Sequence, residues 1–304
     1  MTGRRIAAGI LGATGAVGQR FLRLLENHPL FEVRALAASD RSAGKAYAEA
    51  TPWRLSGPPP SGLATTVLRR AETDLPCEVI FSALDSASAA ELEPSFAAAG
   101  YSVFTNAAAH RMEIDVPLLV PEVNAEHSGL LRVQRDRRGW RKGIVANANC
   151  SATQLSLVLA PLDRAFGLKK AVVTTMQAVS GAGYPGIPSL DILGNVVPDI
   201  PGETEKIETE TKKILGTLSA GRIAPAPLSI SARTFRVPVE EGHTQSVSVL
   251  LSREAGPREL IECWRSFRAE PAIARLPSSL LDRSSTLASR TRRSRGATPV
   301  SATE

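Results

Sequence analysis

Three groups of residues in this 304-residue chain have types and spacings that could do chemistry. The first is Cys150, in the stretch NANCSAT (147–153), directly ahead of the apolar run LSLVLAPL. A helix beginning there would place about half a positive charge beside the sulfur, which favours a thiolate. A cysteine nucleophile also needs an acid–base partner, normally histidine. Of His28, His110, His127 and His243, the last lies in RVPVEEGHTQ between two strand-like runs, with Gly242 allowing a sharp approach. His28, before Pro29, reads as a surface cap, and His127 lies in the polar stretch VNAEHSG. From these residues alone, a packed core cysteine explains Cys150 better than a nucleophile does, because most free cysteines are buried and inert.

The second group is Gly12, Gly15 and Gly18 in GATGAVG. Glycines between a strand and a helix permit a tight turn and let backbone N–H groups approach a phosphate at the helix N-terminus. A strand–helix turn with no ligand is the bland alternative. The third group, Ser39-Asp40-Arg41-Ser42, follows the second expected strand. An acidic residue there would bond the ribose hydroxyls of NAD, whereas hydroxyls with an arginine suit a 2′-phosphate. The balance favours NADP.

The elements that must position these groups alternate. Residues 5–11 read as a strand, 19–29 as a helix, 31–39 as a strand and 52–62 as a loop. A strand follows over 77–84, a helix over 88–100 and a strand over 101–106. Such alternation predicts a doubly wound parallel sheet to about residue 146. Beyond 151 come a helix (154–167), a strand and turn (169–181), a charged helix (202–216), two β-rich runs joined by EEG, and a helix from Pro257. Long antiparallel strands with helices on one face suit an α+β domain. In the charged helix, Glu205, Glu208 and Glu210 read as solvated.

Composition narrows the class. Apolar content of 43% is ordinary for a globular protein. No run approaches the roughly 18 apolar residues that span a bilayer, so a cytoplasmic protein with no membrane contact is expected. The start, MTGRRIAAGILGATG, resembles a signal peptide only superficially, because glycines break its apolar stretch. Cys77, Cys150 and Cys263 form neither a disulfide framework nor a metal cluster, so no metal is expected. The net charge of +6 is concentrated in RVQRDRRGWRKG (132–143) and in the last residues. Both read as solvated basic segments. Nucleic-acid binding would need interleaved aromatics, and only Trp140 is present.

A set of longer stretches carries a resemblance: GATGAVGQRFLRLLENHP, AASDRSAGK, AAAHRMEIDVPLLVPEVN, NANCSATQL, TTMQAVSGAGYPG, IPGETEKIETETKKILG and RVPVEEGHTQSVSV. In this order, over roughly residues 6 to 276, the chain resembles the aspartate-β-semialdehyde dehydrogenase family, above all its archaeal and fungal branch. The resemblance implies a Rossmann-type NADP-binding domain (1–148), an α+β catalytic and dimerisation domain (149–276), and a homodimer or homotetramer. It implies NADPH-dependent reductive dephosphorylation of L-aspartyl-4-phosphate to L-aspartate-4-semialdehyde and phosphate. That step leads toward lysine, threonine, methionine and isoleucine.

The resemblance also implies roles. Cys150 would form a thioester, His243 would be the general acid–base, and Gln177 would orient the acyl group. Arg236 would clamp the substrate carboxylate and Glu203 its ammonium. Lys206 and Arg111, with Asn149, would hold the phosphate. The cofactor would meet Gly12, Ala13, Thr14, Gly15, Ala16, Val17, Gly18, Ser39, Arg41, Ser42 and Ser82, and the turn Ser180, Gly181, Gly183 would lie near the nicotinamide. The competing readings are an N-acetylglutamyl-phosphate or malonyl-CoA type reductase, or a non-catalytic isoform that pairs with a complete subunit. From Ser278 the resemblance ends in a segment with five arginines against Asp282 and Glu304, so residues 277–304 are expected to be a disordered, atypical tail. Weak or absent activity of this chain is expected on that ground, with apolar surface left open on the cofactor half.

Overall fold

Strand β1 (Ile6–Leu11) is apolar along its length, as a strand buried on both faces must be. It belongs to a parallel sheet with β2 (Phe31–Ala38), β3 (Arg69–Arg70), β4 (Val79–Ser82), β5 (Ser102–Thr105), β6 (Leu118–Leu119) and β7 (Ile144–Asn147). The order is β3-β2-β1-β4-β5-β7-β6, and every pairing is parallel. The computed structural model describes residues 4–279; the expectation for the tail lies, from residue 280 onward, outside the described residues.

The chain changes direction across the sheet between β1 and β4, the switch point where ligands of such sheets bind. Glycine is required at the turn leaving β1. Gly12 has φ +69°, and a Cβ there would lie 2.6 Å from the carbonyl oxygen of Ala83; at Gly18 it would lie 2.3 Å from the oxygen of Gly12. The helix Ala16–Leu25 can therefore start flush against the sheet. On the far side, the helix Ser86–Ala99 starts at Asp85, whose carboxylate accepts from the N–H groups of Ala87 and Ser88 at 3.0 Å. It ends at Gly100 in the left-handed conformation. One sheet face carries a row of rings, Phe31, Phe81 and Phe104, with centroids 5.3 and 5.8 Å apart; Phe104 is 38% exposed.

After residue 168 the strands are β8 (Leu168–Gln177), β9 (Val197–Pro198), β10 (Thr217–Ser219), β11 (Arg222–Ala224), β12 (Ser229–Arg236) and β13 (Thr244–Leu251). The long strands are not the antiparallel set expected. Although joined by a short loop, β12 and β13 do not pair; both flank β8, β12 parallel to it and β13 antiparallel, in the order β13-β8-β12-β9. Burial explains the arrangement. β8 alternates strictly near its end, with Val173, Thr175 and Gln177 inward and Val172 and Met176 outward, so it can take neighbours on both edges while one face packs. The inner face meets the helices Cys150–Phe166 and Glu203–Ile214 through Leu155, Leu159, Ile207, Val173, Ile230 and Ala232. The outer face stays open, and Val172 is 58% exposed.

The basic stretch 132–143 is not a loop. Its first part lies in the helix Leu130–Arg138, and Arg138 is bound by Glu113 and Asp115. His127 is fully buried, bridging the Asn124 side chain and the Gly216 carbonyl. Among the described residues no helix is long and apolar enough to cross a membrane.

Candidate active site

Cys150 is the first residue of its helix because Asn149 caps it: Oδ1 of Asn149 accepts from the N–H groups of Ser151 (2.9 Å) and Ala152 (3.1 Å). The sulfur opens on a cleft, and Nε2 of His243 lies 3.2 Å from Sγ. The two residues come from opposite ends of the fold's second half, the helix start and the loop between β12 and β13. Behind the ring, the backbone N–H of Ala178 donates to Nδ1 at 3.1 Å. A nitrogen that accepts cannot carry the proton of a neutral imidazole, so Nε2–H faces the sulfur.

The helix N-terminus does not lower the thiol as expected. Desolvation pushes Cys150 up, Glu203 pushes it further, and the N–H groups of Ser151 and Cys150 only partly pull it back. Desolvation and Arg236 lower His243. The resting pair is a neutral thiol beside a neutral imidazole.

Glu203 is the hub of the cleft floor. One oxygen takes Lys206 Nζ at 3.0 Å, and the other takes Nδ2 of Asn149 at 2.9 Å and Nε2 of Gln177 at 3.4 Å. Burial raises its carboxyl, but these donors outweigh that and hold it below the ordinary range. Gln177 is the inward residue at the end of β8, which is why a buried amide points into the cleft.

Arg111 reaches the same cleft from the loop after β5. Its guanidinium donates to the Asn106 carbonyl at 2.8 Å and to Oε1 of Glu210 at 3.0 Å, and its buried Nε has no partner among the described residues. Glu210 is not solvated as expected; it is 2% exposed, and Oε2 accepts the backbone N–H of Asn149 at 2.6 Å. Glu208 accepts the N–H of Ala232 at 2.9 Å and is half-buried. Only Glu205 of the three lies exposed. Alternating charge misleads here because the helix buries one stripe against β12 and another against the Arg111 loop.

Arg236, the last inward residue of β12, is buried beneath the Ser180–Gly183 turn, with NH1 donating to the Ala178 carbonyl at 2.9 Å. Gly181 permits this, since a Cβ there would lie 2.7 Å from NH1 and 3.2 Å from Cε1 of His243. Arg236 does not line the cleft as directly as Arg111, Glu203 and Lys206 do.

The cleft continues past Cys150 between the two halves. Ala16, Val17 and Arg20 face Ser180, Gly181 and Gly183. The first turn of helix Ala16–Leu25 has no side-chain cap, so its N–H groups are available to a phosphate. Arg41 is exposed at the end of β2, while the neighbouring Asp40 pairs with Arg70 at 3.5 Å. Ser39 is exposed beside Arg41, and Ser42 is half-buried. Of the expected cofactor contacts, the Ala13 side chain lies in the core and Ser82 is fully buried near the Glu93 carboxyl. Sequence reasoning missed Arg20, Asn106 and Glu241, which line the cleft; Arg20 and Glu241 form an ion pair across it. No local motif marks these residues, because each becomes relevant only when the two halves meet.

Comparison with known proteins places this geometry. Residues 7–130 match the family described as semialdehyde dehydrogenase, NAD binding domain, and residues 159–289 match semialdehyde dehydrogenase, dimerisation domain. The second match runs past residue 278, where the resemblance was expected to end. The chain is 48% identical over 270 residues to an aspartate-semialdehyde dehydrogenase of Methanothermobacter thermautotrophicus, covering 88% of this chain and 77% of the relative. It is 44% identical to that of Cryptococcus neoformans, covering 90% and 79%. The crystal structure of the Candida albicans enzyme with NADP superposes with a TM-score of 0.79 at 40% identity, covering 87% of this chain and 77% of the other. That of the Vibrio cholerae enzyme II complexed with ASA gives 0.70 at 26% identity, covering 87% and 80%.

Proposed function

The chain belongs to the aspartate-semialdehyde dehydrogenase family, and from that premise we propose that its own cleft carries out the NADPH-dependent reductive dephosphorylation of L-aspartyl-4-phosphate through a thioester on Cys150. Its activity is that of an aspartate-semialdehyde dehydrogenase, in aspartate-family amino-acid biosynthesis. The single observation that carries the mechanism is the 3.2 Å approach of His243 Nε2 to Cys150 Sγ at the head of a capped helix.

Residues 1–148 hold the cofactor and 149–276 the chemistry. Sγ of Cys150 attacks the acyl carbon and the bond to phosphate breaks, the thiol proton leaving with the phosphate, so that a thioester remains. Arg111, Lys206 and the Asn149 amide, which line the cleft together, receive the leaving phosphate. Glu203, which pairs with Lys206 Nζ, receives the substrate ammonium. Arg236 pairs with the carboxylate, and Gln177 orients the acyl group. The Ala16 helix start, with Arg41, Ser39 and Ser42 toward a 2′-phosphate, would hold NADPH, which would supply the hydride. His243 donates a hydrogen bond from Nε2–H to the acyl oxygen as that oxygen gains charge. The oxygen's electron pair then re-forms the carbonyl as the carbon–sulfur bond breaks, the aldehyde leaves, and the Cys150 thiolate takes up a proton from solvent. An N-acylated substrate has no ammonium for Glu203, which sets this reading apart from an N-acetylglutamyl-phosphate reductase.

The match to a dimerisation domain supports a homo-oligomer, and we assign a homodimer built on the open outer face of the four-stranded sheet. A cytoplasmic setting suits its three free cysteines.

The test is phosphate-dependent NADP reduction by the purified chain with L-aspartate semialdehyde. Wild-type activity abolished by Cys150→Ala, with NADP binding retained, supports the mechanism. Activity that survives Cys150→Ala overturns it.

A further inference from the structure

The mechanism leaves one buried acid without a task. Glu210 sits two turns beyond Glu203 on the same helix, and its carboxylate joins two parts of the site that come from separate segments. Oε1 takes NH1 of Arg111 at 3.0 Å and Oε2 takes the backbone N–H of Asn149 at 2.6 Å, one residue before the nucleophile. Three residues along the helix, the buried ammonium of Lys213 donates to the carbonyls of Arg111 (2.7 Å), Glu113 (2.7 Å) and Val116 (2.9 Å). One helix face thus grips the Arg111 loop twice, by its backbone and by its guanidinium.

We propose that Glu210 is a positioning residue for phosphate: it holds the guanidinium of Arg111 and the turn that presents Cys150 as a single unit, so that the leaving group and the nucleophile keep a fixed separation. The inference rests on Arg111 being the phosphate contact. Only an ionised carboxylate can do this. It accepts two donors with its two oxygens, whereas an amide at the same place presents one oxygen and one NH2. The NH2 would face either Arg111 or the Asn149 N–H, donor against donor, and one tie would break. Burial and the nearby Glu203 leave the Glu210 carboxyl raised, although Arg111 and the Asn149 N–H pull against them.

The experiment measures half-saturation for inorganic phosphate and for L-aspartate semialdehyde separately, in full-length wild type, Glu210→Gln, Arg111→Met and the double variant. Glu210→Gln should raise phosphate half-saturation by about tenfold or more, the effect of losing one charged hydrogen bond. The semialdehyde value should stay within about twofold, since its contacts lie elsewhere. In the Arg111→Met background the substitution should add nothing further. As a binding readout, phosphate should slow alkylation of Cys150 in wild type and fail to do so in Glu210→Gln. An undiminished Glu210→Gln effect in the double variant, or an equal rise for both substrates, overturns the proposal while the site reading stands. Unchanged phosphate half-saturation in Arg111→Met overturns the site reading itself, and the proposal with it. Should Glu210→Gln not fold, Glu210→Asp, which keeps the charge but is one methylene short, should show the same split with a smaller size; equal effects on both substrates would again overturn the proposal.

Discussion

The backbone N–H of Ala178 donates to Nδ1 of His243, and so the atom that meets Cys150 is an Nε2 that carries a proton. The histidine is placed as an acid toward sulfur and the acyl oxygen. An imidazolium would set its second N–H against that of Ala178, which accords with a histidine lowered by desolvation and by Arg236.

Reactivity of Cys150 should therefore depend on pH in a defined way. Its thiol is pushed up by desolvation and by Glu203, so the thiolate forms only above the ordinary thiol range. Iodoacetamide alkylation should keep rising with pH through that range. Glu203→Gln removes a like charge and should shift the inflection downward, giving faster alkylation at pH 7. Turnover should fall about 10- to 100-fold at the same time, because the hub of the cleft floor is lost. Slower alkylation in this variant would contradict the account.

Gly181→Ala should separate fold from function. The new methyl would press on Arg236 and His243, yet the turn itself is exposed and its backbone is not left-handed. Melting should stay within a few degrees of wild type, while kcat/KM drops by about tenfold or more. A fully active variant would show that Arg236 and His243 have more freedom than the packing gives them.

Acid should loosen the ties around Arg138. Burial pushes Glu113 and Asp115 up, but His110 and Arg138 at Glu113, and Arg138 at Asp115, hold both below their ordinary values. Groups lowered in the folded state stabilise it above their unfolded values and lose that contribution as pH falls through the folded ones. The melting temperature should drop between pH 6 and pH 3, and Arg138→Met should flatten the drop. An equal drop in the variant would place the acid sensitivity elsewhere.

Arg41→Ala should distinguish the cofactors. Loss of one arginine–phosphate contact should raise KM for NADP by about tenfold and leave that for NAD unchanged. A parallel rise for both would mean that Arg41 shapes the loop and does not read the phosphate.

Lys213→Met should be costly to stability, because three carbonyls, two of them at buried hydrogen bonds, lose their donor. A loss of about 3 kcal/mol is expected, measured by urea denaturation. A change below about 0.5 kcal/mol would show that the loop is held mainly by other contacts.

The parallel sheet was legible in the sequence because strand–helix alternation and the turn at Gly12 are local signals. Cys150 and His243 could be proposed from their neighbours, but their pairing depends on β13 crossing beside β8, which no local pattern encodes. Glu210 was misread for a physical reason: helical charge alternation normally marks a wet face, and here two separate surfaces dry it. The burial of Ala13 and Ser82 was not legible either, since a motif counts every residue in its span while the backbone turns some side chains into the core.

β8 carries a constraint on how this protein can vary over evolutionary time. Its odd and even positions face two different fates, with Thr175 and Gln177 serving the cleft and Val172 and Met176 serving the outer surface. A substitution touches one fate. Deleting or inserting a single residue within the strand would exchange them, turning the Gln177 amide out of the cleft and an apolar side chain in. Lineages of this fold can therefore redecorate the outer surface residue by residue, while the strand's length stays locked.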